Sequence, residues 1–483
     1  NWNVDTVFVT DNLQVPSGQV LTIGPGSLVL FNGHYSFRVD GQVLATGTPS
    51  DSIVFTVTDT TGFSNLESGD GSWDGFWFYH LGPVNDSTIF EYCRFEYSKA
   101  AFDNDTTNWY GGAVCAREFD RMRSSNCSFV NNRAYKNGGA VYARLADIKI
   151  EACRFENNYC GQPADLFGYG GGVCLEYADA MIYRNYFTLN RSTGVGGGLS
   201  WEYSEPSVVA NHFFNNYSAL GGGFVCLRSS GTTPVVNNLV EANSSLFFGG
   251  GIAVLETTMP FTNNTVVANY SGAGGGLYFN AGSFSVFKNC VIWDNYDFGG
   301  EGPQVYIWDT FSAPEFYYCV VEGGVEQFGG TGGGSGGFIG VYQNCYEVDP
   351  NFSGAGEHPF QPQQNSICIN NGTPDTTGLY LPFQDIAGTT RILNFFVDIG
   401  AYETLVITST QDAVSLSEEP LIYPNPFHAE VNIIITTDDP ETVRIWITDI
   451  NGRVVKNLEN SFLLPGSHRY QWSVADSPGM NCK

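Results

Sequence analysis

Basic residues are scarce in this chain: 21 Lys and Arg stand against 49 Asp and Glu, a formal net charge of −28 over 483 residues. A field of that sign repels nucleic acid, anionic lipid and uronate polymers at long range. Nucleic acid is thereby excluded as a partner, whereas neutral glycans, cations and basic patches on surface proteins remain. Long apolar runs are also missing. No uninterrupted stretch of about 18 apolar residues occurs, so no transmembrane segment is expected. No basic-then-apolar leader opens the sequence, and Asn1 reads as a mature terminus from which any signal peptide has gone. The six His are scattered, with no His-Glu-x-x-His and no close Cys/His group, so no metal ligand set is expected. The Gly-rich stretches lack the Gly-Lys-Ser/Thr ending of a phosphate loop, and Gly333–Gly337 match Gly-x-Ser-x-Gly by letter only. No cofactor is implied; Ca²⁺ bridging to an acidic ligand is the one ion the composition leaves open.

Helical spacing of useful length is absent, and 58 Gly with 15% aromatics fit a turn-dense, all-β chain. Two markers repeat in phase. A Gly-Gly-(Gly/Ala)-aliphatic signature begins at Gly111, Gly138, Gly170, Gly196, Gly221, Gly249 and Gly274, in steps of 25 to 32 residues. An apolar residue followed three positions later by Asn ends at Asn132, Asn158, Asn190, Asn216, Asn243, Asn269 and Asn295, and both series absorb one insertion near Gln162–Gly168. After each glycine cluster the inward pairs read Val114/Ala116, Val141/Ala143, Val173/Leu175, Leu199/Trp201, Phe224/Cys226, Ile252/Val254 and Leu277/Phe279. A unit of about 26 residues with two or three short strands can bury its apolar face only on the next unit, which is the logic of a solenoid.

The Asn column is expected to stack and exchange amide hydrogen bonds between coils. Several of its members fall in Asn-x-Ser frames; pointing inward, they are not glycan acceptors. Cys93, Cys127, Cys153, Cys290 and Cys319 each lie two positions before the apolar marker and are expected as buried free thiols. Looser opening coils precede Ala100, and Gly323–Gly340 reads as a flexible loop by composition.

One column carries potential chemistry. Three residues after the first aliphatic of each cluster stand Arg117, Arg144, Glu176, Glu202, Leu227 and Leu255. Stacking predicts Glu176 and Glu202 roughly 5 Å apart, near the separation used by retaining glycosidases. Tyr142, Tyr177, Trp201 and Tyr203 are expected nearby as sugar-stacking faces, with Arg144 beside Glu176. The bland alternative is a solvated charge ladder.

The glycine-cluster and Phe-x-x-Asn repeats resemble those of polymorphic outer-membrane proteins and of related β-helix proteins exported by Bacteroidetes. So do Val15-Pro16-Ser17-Gly18, Ile23-Gly24-Pro25-Gly26, Gly41–Gly47, and the closing runs Asp385–Arg391 and Asp398–Glu403. This resemblance covers roughly residues 1–403 and implies a right-handed parallel β-helix. After a linker at 404–420, residues 421–483 resemble the type A sorting domain of type IX secretion. The matching residues are Tyr423-Pro424-Asn425-Pro426-Phe427, the strands around Asn451-Gly452, and Pro465-Gly466. That resemblance implies a small Ig-like β-sandwich recognised by type IX machinery at the outer membrane. It further implies a protein that is extracellular or attached to the outer-membrane surface. Relative to that pattern the domain reads as truncated, without its final strand and basic tail.

The residues favour a non-catalytic adhesin, glycan binder or envelope building block. The alternative is a polysaccharide-active enzyme, hydrolase rather than lyase because bases are so few. A third reading is a carrier of glycans on Asp-Ser/Thr frames such as those at Asp5, Asp51, Asp59, Asp86, Asp105 and Asp375.

Overall fold

A computed structural model describes residues 1–2, 5–79, 87–162, 167–393 and 396–405 of a first compact unit that ends at Leu405. In a second unit, 406–483, it describes 421–423, 430–437, 441–448, 454–463 and 466–473. The expected linker therefore falls almost wholly outside the described residues, as do Pro424, Asn425, Pro426, Asn451 and Gly452.

The coils of the first unit before Cys93 contain three strands, whereas between Cys93 and Tyr317 each coil contains four rather than the expected two or three. In one coil these are Val173–Glu176, Met181–Tyr183, Tyr186–Thr188 and Arg191–Ser192. Each pairs in parallel with its counterpart one coil on, as in Val173↔Leu199 through Glu176↔Glu202. Four walls result: a first wall of 11 strands following the glycine clusters, second and third walls of 12, and a short wall of 8. The strands of the short wall are mostly two residues long, too short to show alternation in sequence.

Coil corners explain the glycine signature. Gly138 sits at φ 68°, a left-handed conformation that L side chains avoid, and a Cβ on the following Gly139 would collide with the Gly171 carbonyl of the next coil. Other corners hold single non-glycine residues in the same left-handed region, among them Tyr177 (φ 51°) and Tyr203 (φ 50°). The strain at each corner, on the order of 1–2 kcal/mol, persists because neighbouring coils fix it.

Inside, the apolar markers form a stack. Phe95, Phe129, Phe155, Phe187 and Phe213 follow one another at centroid spacings of 4.7 to 4.8 Å. The expected inward pairs are all fully buried, Trp201 included. Beside them runs the Asn ladder. The backbone N–H and the side-chain amide of Asn158 both donate to Asn190 Oδ1, at 3.1 and 2.8 Å, and that arrangement repeats from Asn132 to Asn295, where Gln304 closes it. The Asn-x-Ser frames have a structural origin. Ser192, Ser218, Ser245 and Ser271 are buried and turn their hydroxyls onto the carbonyls of Val195, Leu220, Phe248 and Ala273, closing the chain into the next glycine corner.

A second ladder at the preceding corner mixes residue types. Cys93 and Cys127 donate their backbone N–H groups to the sulfurs of Cys127 and Cys153 at 3.4 Å. Cys153 passes the chain to Asn185, Asn211, Asn238 and Asn264, after which Cys290, Cys319 and Cys345 continue it. The eleven described cysteines are free thiols, ten of them buried.

Gly323–Gly340 is not a loose loop. Phe328 closes the core at 5% exposure, Phe338 packs edge-on against it at 5.4 Å, and Val341–Gln343 then adds a final strand beside Glu315–Tyr317. Residues 346–405 fold back as a strap over the third wall, tied by Asn263 Nδ2 to the carbonyls of Asp398 and Gly400 at 2.7 and 3.1 Å. The second unit is a small β domain of antiparallel strands. Leu421–Tyr423, Glu430–Thr437 and Gly466–Ser473 form one sheet, and Glu441–Thr448 with Val454–Leu463 form another. Among the described residues no helix is long and apolar enough to cross a membrane.

Candidate functional site

The outward column of the first wall runs Tyr79, Arg117, Arg144, Glu176, Glu202, Leu227, Leu255 and Asn280 in unbroken register. Glu176 and Glu202 are therefore neighbours, but their carboxylates bond to different coils. Glu176 accepts from Tyr142 Oη at 2.7 Å and from Asn137 Nδ2 at 3.0 Å, both on the preceding coil, with Arg144 Nε at 3.9 Å. Glu202 pairs in the opposite direction, with Arg228 of the following coil, which also bridges to Glu256 at 3.2 Å.

Both carboxylates open into a cleft of about 450 Å³ lined by Trp109, Tyr110, Tyr135, Lys136, Asn137, Gly161, Gln162, Phe167 and Tyr169. Its aromatic side is built by departures from the repeat. A 3-10 turn at Thr106–Trp109, capped by Asp105, presents Trp109 against Tyr135 at 4.9 Å. Tyr110 lies against Tyr142 at 4.6 Å, with the Arg117 guanidinium 4.8 Å from its ring. Burial raises the hydroxyl pKa of Tyr142, and the Glu176 carboxylate raises it further, so this phenol remains a hydrogen-bond donor. Burial likewise raises that of Tyr169, with Glu202 adding to it.

The sequence expectations divide accordingly. Glu176, Glu202, Arg144 and Tyr142 meet in one place, but Tyr142 is 1% exposed and works through its hydroxyl, not its ring face. Trp201 does not belong to any stacking surface. It is fully buried, its ring against Phe224 at 5.4 Å and its indole N–H on Met259 Sδ at 3.4 Å, because its strand phase points it into the core. Tyr177 and Tyr203 are exposed and stack on one another at 4.9 Å with 10° between ring planes. The left-handed corner that turns them outward sets them just beyond the carboxylate column. Trp109, Tyr110, Tyr135, Phe167 and Tyr169 are cleft residues that the repeat pattern does not mark; for Phe167 and Tyr169 the signal was the insertion near Gln162–Gly168.

Among the described residues no group of three or more His, Cys, Asp or Glu is arranged to hold a metal ion. A second cleft of about 610 Å³ lies between the third wall and the strap, where His212 Nε2 is 3.5 Å from Glu241 Oε2 and His358 faces Tyr402 at 5.9 Å.

Comparison with known proteins places two segments. Residues 84–270 match the family described as a right handed beta helix region, and residues 421–476 match the secretion system C-terminal sorting domain. No curated protein matches the chain. Tyr423 lies in the first described strand of the sorting domain. That domain implies passage through type IX secretion machinery to the cell surface or the extracellular space.

Proposed function

Because the chain is an exported right-handed β-helix with a secretion sorting domain, we propose that it acts outside the cell as a non-catalytic binder that holds a neutral glycan in the first-wall cleft. One observation carries this reading: five aromatic rings line the cleft around two carboxylates that stand on the same wall, each tied to a different neighbouring coil. Aromatic faces supply stacking for pyranose rings, and fixed carboxylates accept hydrogen bonds from sugar hydroxyls. Glycoside hydrolysis needs more. Its two carboxyl groups must flank the scissile bond so that one protonates the leaving oxygen while the other works from the opposite side. Here the only carboxylates among the described lining residues share one wall and are tied to coils on opposite sides.

Hydrolysis is the second reading, favoured only by the direct register of Glu176 on Glu202. Titrating the full chain with neutral gluco-, xylo- and manno-oligosaccharides, while following products by mass spectrometry, separates the two. Binding without products is expected, with affinity falling at least tenfold in Trp109→Ala and Tyr110→Ala. Products that vanish in Glu176→Gln/Glu202→Gln would overturn the proposal.

A further inference from the structure

The short wall carries a second outward column whose composition runs against the rest of the surface. Its rungs are Arg133, Tyr159, Arg191, Tyr217, Ser244, Tyr270 and Tyr296, each in direct register with the next. Arg133 lies 5.2 Å from the rings of both Phe63 and Tyr159 and donates from Nη1 to the Ser64 carbonyl at 3.4 Å, and Arg191 lies 4.7 Å from the ring of Tyr217, so each cation packs on an aromatic ring. The guanidiniums have no acidic neighbour: among the described residues no carboxylate stands within ion-pairing distance of either. In a chain of net charge −28 such arginines are few; Arg117 of the first wall, over Tyr79, Tyr110 and Tyr142, is another. Arg94, Arg154 and Arg228 all have Glu partners, and Arg154 does so even though it also covers a tyrosine, Tyr186, at 4.8 Å. A groove of about 670 Å³ follows the column, lined by Arg133, Asn157, Tyr159, Arg191, Tyr217 and Leu246 among others.

Spacing decides what fits. Rungs are about 4.8 Å apart, close to the advance of one pyranose ring in an extended chain. Tyrosine recurs at every second rung (Tyr159, Tyr217, Tyr270) and unpaired arginine at the rungs before the first two. We infer that the short wall is a binding strip for an extended acidic polysaccharide bearing one carboxylate on every second sugar. Alternate rings stack on Tyr159, Tyr217 and Tyr270, and the acidic rings between them meet Arg133 and Arg191. Guanidinium suits the task because its planar fork binds a carboxylate through two parallel hydrogen bonds while its face remains on the tyrosine. The net negative charge opposes the approach of such a polymer at long range, but within about 8 Å, the screening length at physiological ionic strength, the two arginines without acidic partners set the local sign. The strip is separate from the first-wall cleft and stands whether or not that cleft binds neutral glycan.

The test titrates the full chain with three octasaccharides of equal length: hyaluronan, with a uronate at alternate sugars; oligogalacturonate, with one at every sugar; and cello-octaose, with none. Hyaluronan is expected to bind at least tenfold more tightly than either of the others. In Arg133→Gln/Arg191→Gln it should fall to the cello-octaose level, and in Arg154→Gln it should be unchanged. Equal binding of cello-octaose or tighter binding of oligogalacturonate by the unaltered chain overturns the inference, and neither result depends on how a variant folds. Undiminished hyaluronan binding in a double variant with the parent melting temperature overturns it equally.

Discussion

The stack and the strap bury polar groups by opposite means. Along the Asn ladder of the stack the buried donors of each rung are met by a neutral side chain that is both donor and acceptor, so each Asn serves the coil before it and is served by the coil after. The strap meets its demand once, with ions. Arg391, 1% exposed, lies 3.4 Å from Glu403 Oε2 and donates to the carbonyls of Asp398 and Gly400. Asp385 accepts from the backbone of Ala387, Thr389 and Glu403, and Asp398 from that of Asn370 and Thr404. Three carboxylates thus surround one guanidinium. A repeating structure can spread polar satisfaction over many equal rungs, whereas a single closing segment concentrates it, along with the desolvation cost and sensitivity to pH that come with charge.

That contrast is open to direct attack, and the greatest loss is expected in the strap. Arg391→Met leaves three buried carboxylates without their cation and should cost about 3–5 kcal/mol, read as a lowered unfolding midpoint of the first unit. A near-neutral result would mean the network is not ionised as drawn. Next in size, Asn216→Ala strips Asn190 of the acceptor for two donors and leaves the Phe187 carbonyl unpaired. It should cost about 3 kcal/mol, with a similar figure at Asn190 or Asn243 because the rungs are equivalent.

Protonation sharpens the comparison. Burial, with Glu403 adding to it, pushes the Asp398 carboxyl up to about 7 from an ordinary value of 3.8. A folded-state value above the unfolded one means the proton stabilises the folded form. That contribution is complete below the unfolded value and is lost as pH rises through about 7. The melting temperature should therefore fall between pH 5 and pH 8.5, and Asp398→Asn should flatten the fall, whereas Asn216→Ala should leave its slope unchanged. The smallest effect belongs to the mixed ladder. Cys127→Ala removes a weak sulfur acceptor from the Cys93 N–H and should cost about 1 kcal/mol. Cys127→Asn should recover it, since an amide already fills the equivalent place at Asn185.

How legible these regions were follows from whether their residues repeat. The Asn column, the inward pairs and the adjacency of Glu176 and Glu202 could be read from spacing alone. The mixed ladder was half visible: its cysteines stood out, but Asn185, Asn211, Asn238 and Asn264 occupy the same position with another side chain, and a search by residue type separates them. The short wall was hidden because strands of two residues show no alternation, although Arg133, Tyr159, Arg191 and Tyr217 each directly follow an Asn of the column. Trp201 shows the conflict between two kinds of reading. Strand phase assigned it to the core while residue type made it a sugar platform, and phase prevailed because burial is set by the backbone. The cleft aromatics come from a 3-10 turn, a coil corner and an insertion, and the strap's ions from a segment without period, so neither announced itself as a set, although the closing runs Asp385–Arg391 and Asp398–Glu403 contain all four charged residues of the strap network.

All of these inferences require that residues one coil apart be physical neighbours and that residues two coils apart not be. A double-mutant cycle measures this directly, comparing Asn158→Ala with Asn190→Ala, one rung apart, against Asn158→Ala with Asn216→Ala, two rungs apart. The account predicts a coupling energy of about 1 kcal/mol or more for the first pair and additivity within about 0.5 kcal/mol for the second. Additive effects at Asn158 and Asn190 would contradict it.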